Sequence, residues 1–537
     1  MKFFKNLISV LIIFSSVILS QEVGKTVVLD IGENFRLYPS NVSQTEVFIV
    51  THPWNPNIIF SSANTIVFNP FFVSEGIYVT SDGGNNWYGS DTCNGAPILL
   101  HGGDPGITIN QNGTFILTRR GFSAGLYSHY STNNGMTWSN QKTITNDDLE
   151  RATMTSDVHP SSAYFGRSYA VWVKFAPPFP LNFVYTDDGG ANWSAPAQIN
   201  NPIQRSAGGD ITMGPDGKVY ACWAGVISVS PFTEDFVGIA SSSNGGASWQ
   251  VIENAFDMNG INGLLTQKGN IRVNGLPNIA IDTTGGNRHG WIYIVTTQKN
   301  LSPAGSDPDV ILNRSTNGGA SWSAGIRVNQ DQLNNGKIQY FPAVHVDKIG
   351  GLNMIFYDDR NTTSDSSGVF LARSEDGGNT WKEFEISDRN FKPLPIGGLG
   401  QGYQGDNISI TSSSGKLWPV WMDNRTGIYQ IWTVPIELSS VNVEEISNHV
   451  FDFKLLQNYP NPFNPSTRIQ YSVRSTQNFS LKVYDVLGKE IATLVDEEKP
   501  AGEYEVEFNG SELTSGIYFY QLKAVEITQT KKMILLR

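Results

Sequence analysis

Cysteine, charge and long apolar runs are all scarce in this sequence. Only two cysteines, Cys93 and Cys222, occur among 537 residues, which argues against a disulfide framework and against the familiar zinc motifs. Charged residues make up 16% of the chain and the net charge is −12, with no basic block outside the termini. Because a nucleic-acid backbone attracts basic patches, we expect no nucleic-acid partner.

One apolar run stands out, and it lies at the N-terminus. Residues 1–20 begin with Lys2 and Lys5, are apolar from Leu7 to Leu19, and end at the small residue Ser20. This pattern predicts a cleavable signal peptide, since the apolar core is short for a membrane span. No later stretch is long and apolar enough for a transmembrane helix, so we expect an exported, soluble mature protein.

Glycine and aromatic residues are plentiful, with 53 glycines and 12% aromatics, a profile typical of many short strands joined by tight turns. An octapeptide of the form Ser/Thr-x-Asp/Asn-x-Gly-x-x-Trp occurs six times, with tryptophans 51, 55, 56, 73 and 59 residues apart. Its defining pairs are Asp82 and Trp87, Asn133 and Trp138, Asp188 and Trp193, Asn244 and Trp249, Asn317 and Trp322, and Asp376 and Trp381. Repeats of this period, with β-patterned segments between them, predict a propeller.

The octapeptide has the chemistry of a hairpin turn. The Asp or Asn oxygen accepts backbone hydrogen bonds, Gly supplies a positive φ, and we expect the Trp ring to pack back onto its own sheet. The six copies resemble the Asp boxes, or BNR repeats, of the sialidase superfamily. The resemblance implies a structural role for them and a sialidase-like β-propeller for residues 21–438.

Each repeat reads as strands A, B and C, the octapeptide, and strand D. A further unit at residues 407–432 has strands A to C only. The segment Asn34–Pro39 parallels a D strand, and we expect it to complete that last unit and close the ring. Counting units predicts seven blades, with six as the alternative because six is usual for a sialidase.

The C-terminal part has a different pattern. Residues 439–453 are polar and read as a linker, and residues 454–537 alternate apolar and polar side chains, as in a small immunoglobulin-like β-sandwich. The motifs Leu455–Thr467, Val483–Glu490, Ala501–Tyr504 and Ser515–Tyr520 occur in the order seen in a type A C-terminal sorting domain of type IX secretion, which this region resembles. This resemblance implies that the type IX machinery is a partner and that the protein is secreted or held at the outer-membrane surface.

Propeller geometry predicts where a site could lie. The D–A and B–C connections of all blades emerge on one face, opposite the octapeptides, and loops on a rigid scaffold usually carry function. The charged residues expected there are Glu46, Asp104, Asp157, Asp210 and Asp406 near strand A, and Arg119, Arg120, Asp358, Arg360, Asp423 and Arg425 after strand B. They could bind a polyhydroxylated ligand, brace neighbouring blades, or hold a hard cation such as calcium. No other cofactor is expected.

A sialidase would need three arginines for the substrate carboxylate and a Tyr nucleophile. Arg120, Arg360 and Arg425 are candidates for the first role, and Tyr340 or Tyr403 for the second, without the family's diagnostic spacing. Three functions therefore stay open: a surface propeller that binds glycans or other extracellular polymers, a sialidase-like glycoside hydrolase, and a structural or adhesion protein of the envelope.

Overall fold

The computed structural model describes residues 25–93, 101–442, 454–473, 477–499, 502–524 and 528–537. The predicted signal peptide and residues 443–453 of the predicted linker lie outside this range. The chain divides into two compact units, the larger being Leu29–Ser439 and the smaller comprising Met1–Val28 and Ser440–Arg537. Regular structure in the described residues is β-strand, apart from two short 3-10 turns at Pro215–Gly217 and Thr266–Lys268.

The strands of the larger unit form successive antiparallel sheets, preceded by β1 (Lys25–Ile31) and β2 (Phe35–Arg36). The first three four-stranded sheets are β3–β6 (Ser43–Thr51, Ile59–Phe68, Phe71–Thr80, Tyr88–Ser90), β7–β10 (His101–Ile109, Phe115–Gly121, Leu126–Ser131, Lys142–Thr145) and β11–β14 (Thr153–Ser156, Ser168–Val173, Leu181–Thr186, Ala197–Gln198). The next three are β15–β18 (Arg205–Met213, Val219–Val226, Glu234–Ser242, Gln250–Asp257), β21–β24 (Asn278–Ile281, Ile292–Gln298, Asp309–Ser315, Ile326–Arg327) and β25–β28 (Gln339–Val346, Leu352–Asp358, Gly368–Ser374, Lys382–Glu385). A separate hairpin of β19 (Gly263–Leu265) and β20 (Ile271–Val273) falls between the fourth and fifth sheets in the chain.

The last sheet combines both ends of the larger unit. It contains β29 (Ser409–Ser413), β30 (Lys416–Asp423), β31 (Gln430–Thr433) and β32 (Ile436–Asn442), together with β1 and β2. In β2, Phe35 lies opposite Thr433 and Arg36 opposite Trp432, so the predicted closure by the N-terminal segment is confirmed. Residues 439–442, predicted as linker, belong instead to β32, which continues along the same edge of β30 after Pro435 interrupts the pairing.

The inner strands make a closed ring. Strands β3, β7, β11, β15, β21, β25 and β29 contact one another in this order, and β29 contacts β3. Middle strands such as β12 and β16 are buried along their whole length, which explains their nearly continuous apolar sequences. Cys93 and Cys222 are both buried and do not form a disulfide bond.

The six octapeptides adopt one hydrogen-bonded turn, between the third and fourth strands of six sheets. In the first copy, the Asn86 N–H donates to Asp82 Oδ1 (2.9 Å) and the Gly84 N–H donates to Thr80 Oγ1 (3.0 Å). The same pair of bonds recurs in the other copies, at Asn133, Asp188, Asn244, Asn317 and Asp376. Gly84 has a φ of 91°, as the predicted turn requires.

The octapeptide tryptophans pack differently from the prediction. Trp138 lies 5.8 Å from Phe60 of the preceding sheet and Trp249 lies 5.2 Å from Phe183 of the preceding sheet, measured between ring centroids. Trp87 of the first sheet lies 6.1 Å from Trp418 of the last one. The expectation that each ring packs onto its own sheet is therefore wrong for these copies. These rings lie in the wedge between neighbouring sheets.

Replacing the octapeptide carboxylates with amides should remove part of the acid sensitivity of folding. Hydrogen bonds from Asn86 lower the pKa of Asp82 to about 2; at Asp376 burial opposes the shift, but the bonds from Thr380 also give a pKa of about 2. Their contribution to stability is complete above the unfolded pKa of about 3.9 and is lost as the pH falls through about 2. We expect Asp82→Asn with Asp376→Asn to keep its unfolding temperature at pH 7 and to lose less than wild type between pH 4 and pH 2.

The control for this experiment is Asp216→Asn, an exposed aspartate outside the octapeptides. Thermal unfolding of the three proteins across the pH series gives the comparison. Equal acid sensitivity of wild type and the double variant would contradict the prediction.

The described part of the smaller unit contains two antiparallel sheets that share one apolar core. Its strands are β33 (Lys454–Leu455), β34 (Ser466–Val473), β35 (Gln477–Tyr484), β36 (Glu490–Lys499), β37 (Gly502–Asn509), β38 (Gly516–Lys523) and β39 (Thr528–Leu535). The sheets have the orders β33-β34-β37 and β36-β35-β38-β39. Asp485 accepts the Leu487 and Lys489 N–H groups, each at 2.9 Å, in the tight turn between β35 and β36.

Candidate functional site

A cavity of about 640 Å³ opens within the larger unit where the starts of several inner strands converge. No octapeptide residue lines it, which places it on the side of the D–A and B–C connections. The ionisable and phenolic side chains of its wall are Glu46, Asp104, Arg120, Glu150, Arg151, Arg205, Glu234, Arg272, Tyr403 and Asp406. An open space lined by converging polar groups has the character of a binding site.

Bulges in the inner strands direct side chains into this space. In β3 the pairing register shifts between Thr45 and Phe48, and in β7 it shifts between Gly103 and Gly106. Within these bulges Glu46 has a φ of 54° and Asp104 a φ of 57°, in the left-handed region that residues other than glycine rarely adopt. Bulges re-aim side chains and backbone strain concentrates at functional sites, so both features mark this wall as functional.

Glu46 and Asp104 form an interacting pair of carboxyl groups. Burial raises the pKa of Glu46 well above its ordinary value, and the negative charges of Asp104 and Asp406 raise it further. Burial also raises the pKa of Asp104, although a hydrogen bond with Glu46 opposes the shift. Since two adjacent carboxylates repel each other, the pair retains a proton at a higher pH than exposed carboxyl groups do.

Tyr403 lies beside this pair. Its hydroxyl accepts a hydrogen bond from Asn64 Nδ2 (3.0 Å) and lies 2.9 Å from Thr45 Oγ1. Burial, followed by the charges of Glu46 and Asp104, raises the pKa of Tyr403 well above its ordinary value. The phenol is therefore neutral at physiological pH and can take part in hydrogen bonds.

Two further carboxyl groups of the wall bind backbone amides. Glu150 Oε2 accepts the Gly208 N–H at 2.8 Å, and Glu234 Oε1 accepts the Gly275 N–H at 2.8 Å. Burial raises the pKa of both glutamates, and these backbone bonds oppose the shift. Both residues hold connections of the wall in place.

Three of the four arginines in the wall are engaged by other polar side chains. Arg272 binds the Asp406 carboxylate, Arg120 binds Asp148 at 2.8 Å, and Arg151 donates to Asn407 Oδ1. Burial favours the neutral form of Arg272, but Asp406 outweighs this effect and raises its pKa.

Arg205 is bound in another way. Its guanidinium carbon lies 4.8 Å from the Phe179 ring centroid and 4.9 Å from that of Phe232. Its Nε is buried, and no described residue offers this nitrogen a hydrogen-bond partner. Among the described residues no carboxylate lies within 4.0 Å of this side chain.

The β19–β20 hairpin reaches across to the last sheets. Lys268 Nζ lies 2.9 Å from Asp359 Oδ2, and both side chains are fully buried. The same ammonium donates to the carbonyl oxygens of Ser364 (3.1 Å) and Ser366 (2.8 Å), so its three protons are all used. The backbone N–H of Arg272 donates to the Gly402 carbonyl oxygen at 2.8 Å. The hairpin thus joins the wall of the cavity to distant connections.

Exposed phenylalanines lie in the B–C connections of the first four sheets or at the strand ends next to them. We call this set the phenylalanine rim; its members, between 38% and 50% exposed, are Phe68, Phe71, Phe122, Phe175 and Phe232. Phe175 and Phe232 also line the cavity, and Phe71 contacts both Phe68 and Phe122. Large apolar side chains gathered at the surface are typical of binding sites.

The structure brings some of the predicted site residues together and separates others. Glu46, Asp104, Asp406 and Arg120 line the cavity, and Asp210 lines an adjoining cavity of about 160 Å³. Asp157 was predicted at the start of a strand A, but it follows β11 and accepts hydrogen bonds from the His159 N–H and the Ser162 hydroxyl. Arg119 is buried and donates to Gln141 Oε1 at 2.6 Å.

In the two Asp–Arg motifs predicted to face the centre, the arginines bind carboxylates of the protein itself. Arg360 binds Asp358 and, through two hydrogen bonds, Glu383, while its guanidinium stacks on Phe370. Arg425 binds Asp423 and, through a single hydrogen bond, Asp388, and it stacks on Trp432. Neither arginine lines the cavity, and Tyr340, one of the predicted nucleophiles, is buried.

Sequence reasoning missed five of the charged residues in the wall: Glu150, Arg151, Arg205, Glu234 and Arg272. One signal was available for the last of these. The 73-residue spacing between Trp249 and Trp322 is the largest in the repeat, and it contains the inserted hairpin with Arg272. Among the residues that the structure describes, no group of three or more His, Cys, Asp or Glu side chains is arranged to hold a metal ion.

Comparison with known proteins resolves the C-terminal unit. Residues 457–536 match the secretion system C-terminal sorting domain. The protein is a type IX secretion cargo. It is accordingly secreted or displayed on the cell surface, and within the described part of the chain the structure contains no helix with the length and apolarity to span a membrane.

The larger unit is similar to solved structures in fold. An ulvan lyase, a polysaccharide lyase solved with the oligosaccharide GlcA(1-4)Rha3S, shares 11% identity over 77% of this chain and 99% of its own, with a TM-score of 0.52. A protein of unknown function from Dyadobacter fermentans (11% identity, 76% and 99% coverage, TM-score 0.43) and an α-L-arabinanase from Penicillium chrysogenum (12% identity, 64% and 98% coverage, TM-score 0.40) also match. No curated protein matches the sequence. The likeness to the ulvan lyase concerns a propeller-like arrangement of antiparallel sheets.

Proposed function

We propose that this cargo protein binds extracellular polysaccharide at the mouth of its central cavity. The observation that carries the proposal is the combination of the phenylalanine rim with a charged cavity of about 640 Å³. Sugar rings present apolar faces that stack on aromatic side chains, and their hydroxyl groups hydrogen bond to carboxyl, guanidinium and phenol groups. The aromatic rim can stack on sugar rings and the polar wall can hydrogen bond to their hydroxyl groups, so the two together suit a polyhydroxylated polymer.

Export and fold support the same proposal. A secreted protein meets polymers outside the cell, and the ulvan lyase of similar fold is an enzyme that acts on a polysaccharide. We extend the proposal to the finer architecture: a seven-bladed, sialidase-like propeller whose octapeptides are Asp boxes, followed by an immunoglobulin-like sandwich. The recurring turn bonds and the closed cycle of inner strands support this architecture.

The sialidase alternative has less support in the geometry. The three arginines predicted for the substrate carboxylate are not brought together: Arg120 lines the cavity, whereas the guanidinium groups of Arg360 and Arg425 bind carboxylates away from it. A purely structural role leaves the open, charged cavity without a use. Polysaccharide binding accounts for the cavity and for the rim together.

Removal of one rim side chain should weaken polysaccharide binding. We expect Phe175→Ala to reduce affinity roughly tenfold, the equivalent of about 1.4 kcal/mol, because the residue both lines the cavity and exposes its ring. The measurement is retardation of the full-length protein in native gels that contain increasing amounts of dextran, polygalacturonate or dextran sulfate.

The matched control is Trp54→Ala. Trp54 is an exposed aromatic residue in the connection after β3, at the opposite end of that strand from Glu46. We expect this variant to bind as wild type does. If no polysaccharide retards the wild-type protein, or if both variants bind unchanged, the proposed function is wrong.

A further inference from the structure

Arg205 differs from the other arginines of the cavity because its guanidinium N–H donors have no side-chain acceptor among the described residues. Arg120, Arg151 and Arg272 each donate to an oxygen of another side chain, whereas Arg205 is held by ring faces. A guanidinium group carries five N–H donors in one plane. Within the described residues, none of these donors meets a side-chain acceptor.

The two rings also fix the orientation of the group. Phe179 and Phe232 approach Arg205 at 4.8 and 4.9 Å and belong to the B–C connections of two neighbouring sheets. With Nε buried beside these rings, the terminal N–H groups of Arg205, which lines the cavity, are left for a ligand. Such a pre-oriented fork fits two oxygens of one planar or tetrahedral anion.

The acids of the wall repel an anion less than their number suggests. The pKa values of Glu46, Asp104, Glu150 and Glu234 are raised, with burial as the largest cause, and Asp406 is neutralised by Arg272. Arg151 adds a second cation, since its hydrogen-bond partner, the Asn407 amide oxygen, carries no charge, and no carboxylate of the described residues lies within 4.0 Å of its guanidinium. The cavity therefore has positive charge available for a ligand.

We propose that Arg205 binds an acidic group of the polysaccharide, a uronate carboxylate or a sulfate ester, so that the ligand is an acidic polymer. This inference rests on the proposed function. Phe179 and Phe232 position the guanidinium, and the neighbouring sugar rings extend over the phenylalanine rim. A neutral polymer has no carboxylate or sulfate ester to accept hydrogen bonds from the Arg205 N–H groups.

The test compares wild type, Arg205→Gln and Arg205→Lys in the native-gel assay with polygalacturonate, dextran sulfate and dextran. We expect wild type to bind at least one acidic polymer ten times more tightly than dextran. Arg205→Gln should lose at least tenfold on that polymer and change less than twofold on dextran. Arg205→Lys, which keeps the charge without the fork, should lose an intermediate amount. Arg389→Gln, at an exposed arginine outside the cavity, makes the same change in net charge and should bind as wild type does.

The outcomes separate the two proposals. The acidic subsite is overturned if wild type binds dextran and the acidic polymers equally well. It is also overturned if Arg205→Gln and Arg205→Lys bind an acidic polymer as tightly as wild type does. Either result leaves the proposal of polysaccharide binding intact. Absence of binding to every polymer overturns both. Preference for polygalacturonate assigns a carboxylate, and preference for dextran sulfate assigns a sulfate ester. Thermal unfolding of each variant confirms that it is folded.

Discussion

Lys268→Ala should lower the free energy of unfolding by about 3–5 kcal/mol, because it leaves the Asp359 carboxylate buried without its cation. Both side chains are fully buried, so water does not screen the pair. The ammonium also binds the carbonyl oxygens of Ser364 and Ser366, which would lose their donor. Denaturant unfolding of the full-length protein, followed by tryptophan fluorescence, measures the loss.

A double variant distinguishes the lost charge balance from lost packing. Lys268→Met with Asp359→Asn removes both charges, keeps an aliphatic chain, and leaves an oxygen for the Ile338 N–H, which donates to Asp359 at 2.7 Å. We expect it to recover at least half of the stability that Lys268→Ala loses. A loss below about 1 kcal/mol for Lys268→Ala would place the pair in the range of exposed ion pairs and contradict its burial.

Trp418→Ala should cost a similar amount, about 3–5 kcal/mol, as large cavities in packed cores do. Trp418 belongs to β30 in the last sheet and is 2% exposed. It contacts Trp87 of the first sheet, so the substitution opens a void at the place where the two ends of the ring meet. Urea unfolding at neutral pH measures the change.

Trp54→Ala serves again as the matched control, since this indole is 54% exposed. We expect a loss of less than about 1 kcal/mol for it, the usual range for surface positions. Comparable losses in the two variants would show that the wedge between the first and last sheets contributes little to the ring.

The fold could be predicted from the sequence because its turns are local. Each octapeptide contains both the donor and the acceptor of its own turn, as Asp82 and Asn86 do, so a short segment determines the structure. Closure of the ring by Phe35 and Arg36 could also be predicted, since their segment resembles a D strand and the last unit lacks one. The packing of Trp138 against Phe60 was not, because a single repeat carries no information about its neighbour.

The site was predictable only in part, for the same reason. Glu46 and Asp104 could be assigned to the cavity side because they lie in the first half of an inner strand, near the end where the D–A connection enters. Arg205 depends on two phenylalanines from separate connections, and its role follows from three-dimensional contacts alone. Arg360 has the sequence of a surface-facing motif, yet Asp358 and Glu383 occupy its donors. Which arginines remain available is decided by partners that are remote in the chain or carry no motif.

Closure of the ring by an N-terminal strand sets an order of events during synthesis and export. Gln430 Nε2 donates to the Val42 carbonyl at 2.7 Å across a chain separation of 388 residues, so the ring cannot be completed until the chain extends as far as this residue. The sorting domain, residues 457–536, arrives next. A chain that stops early lacks both the strand pairing that closes the ring and the sorting domain. We therefore expect chains that end before residue 430 neither to close the ring nor to be exported, since they lack the sorting domain as well.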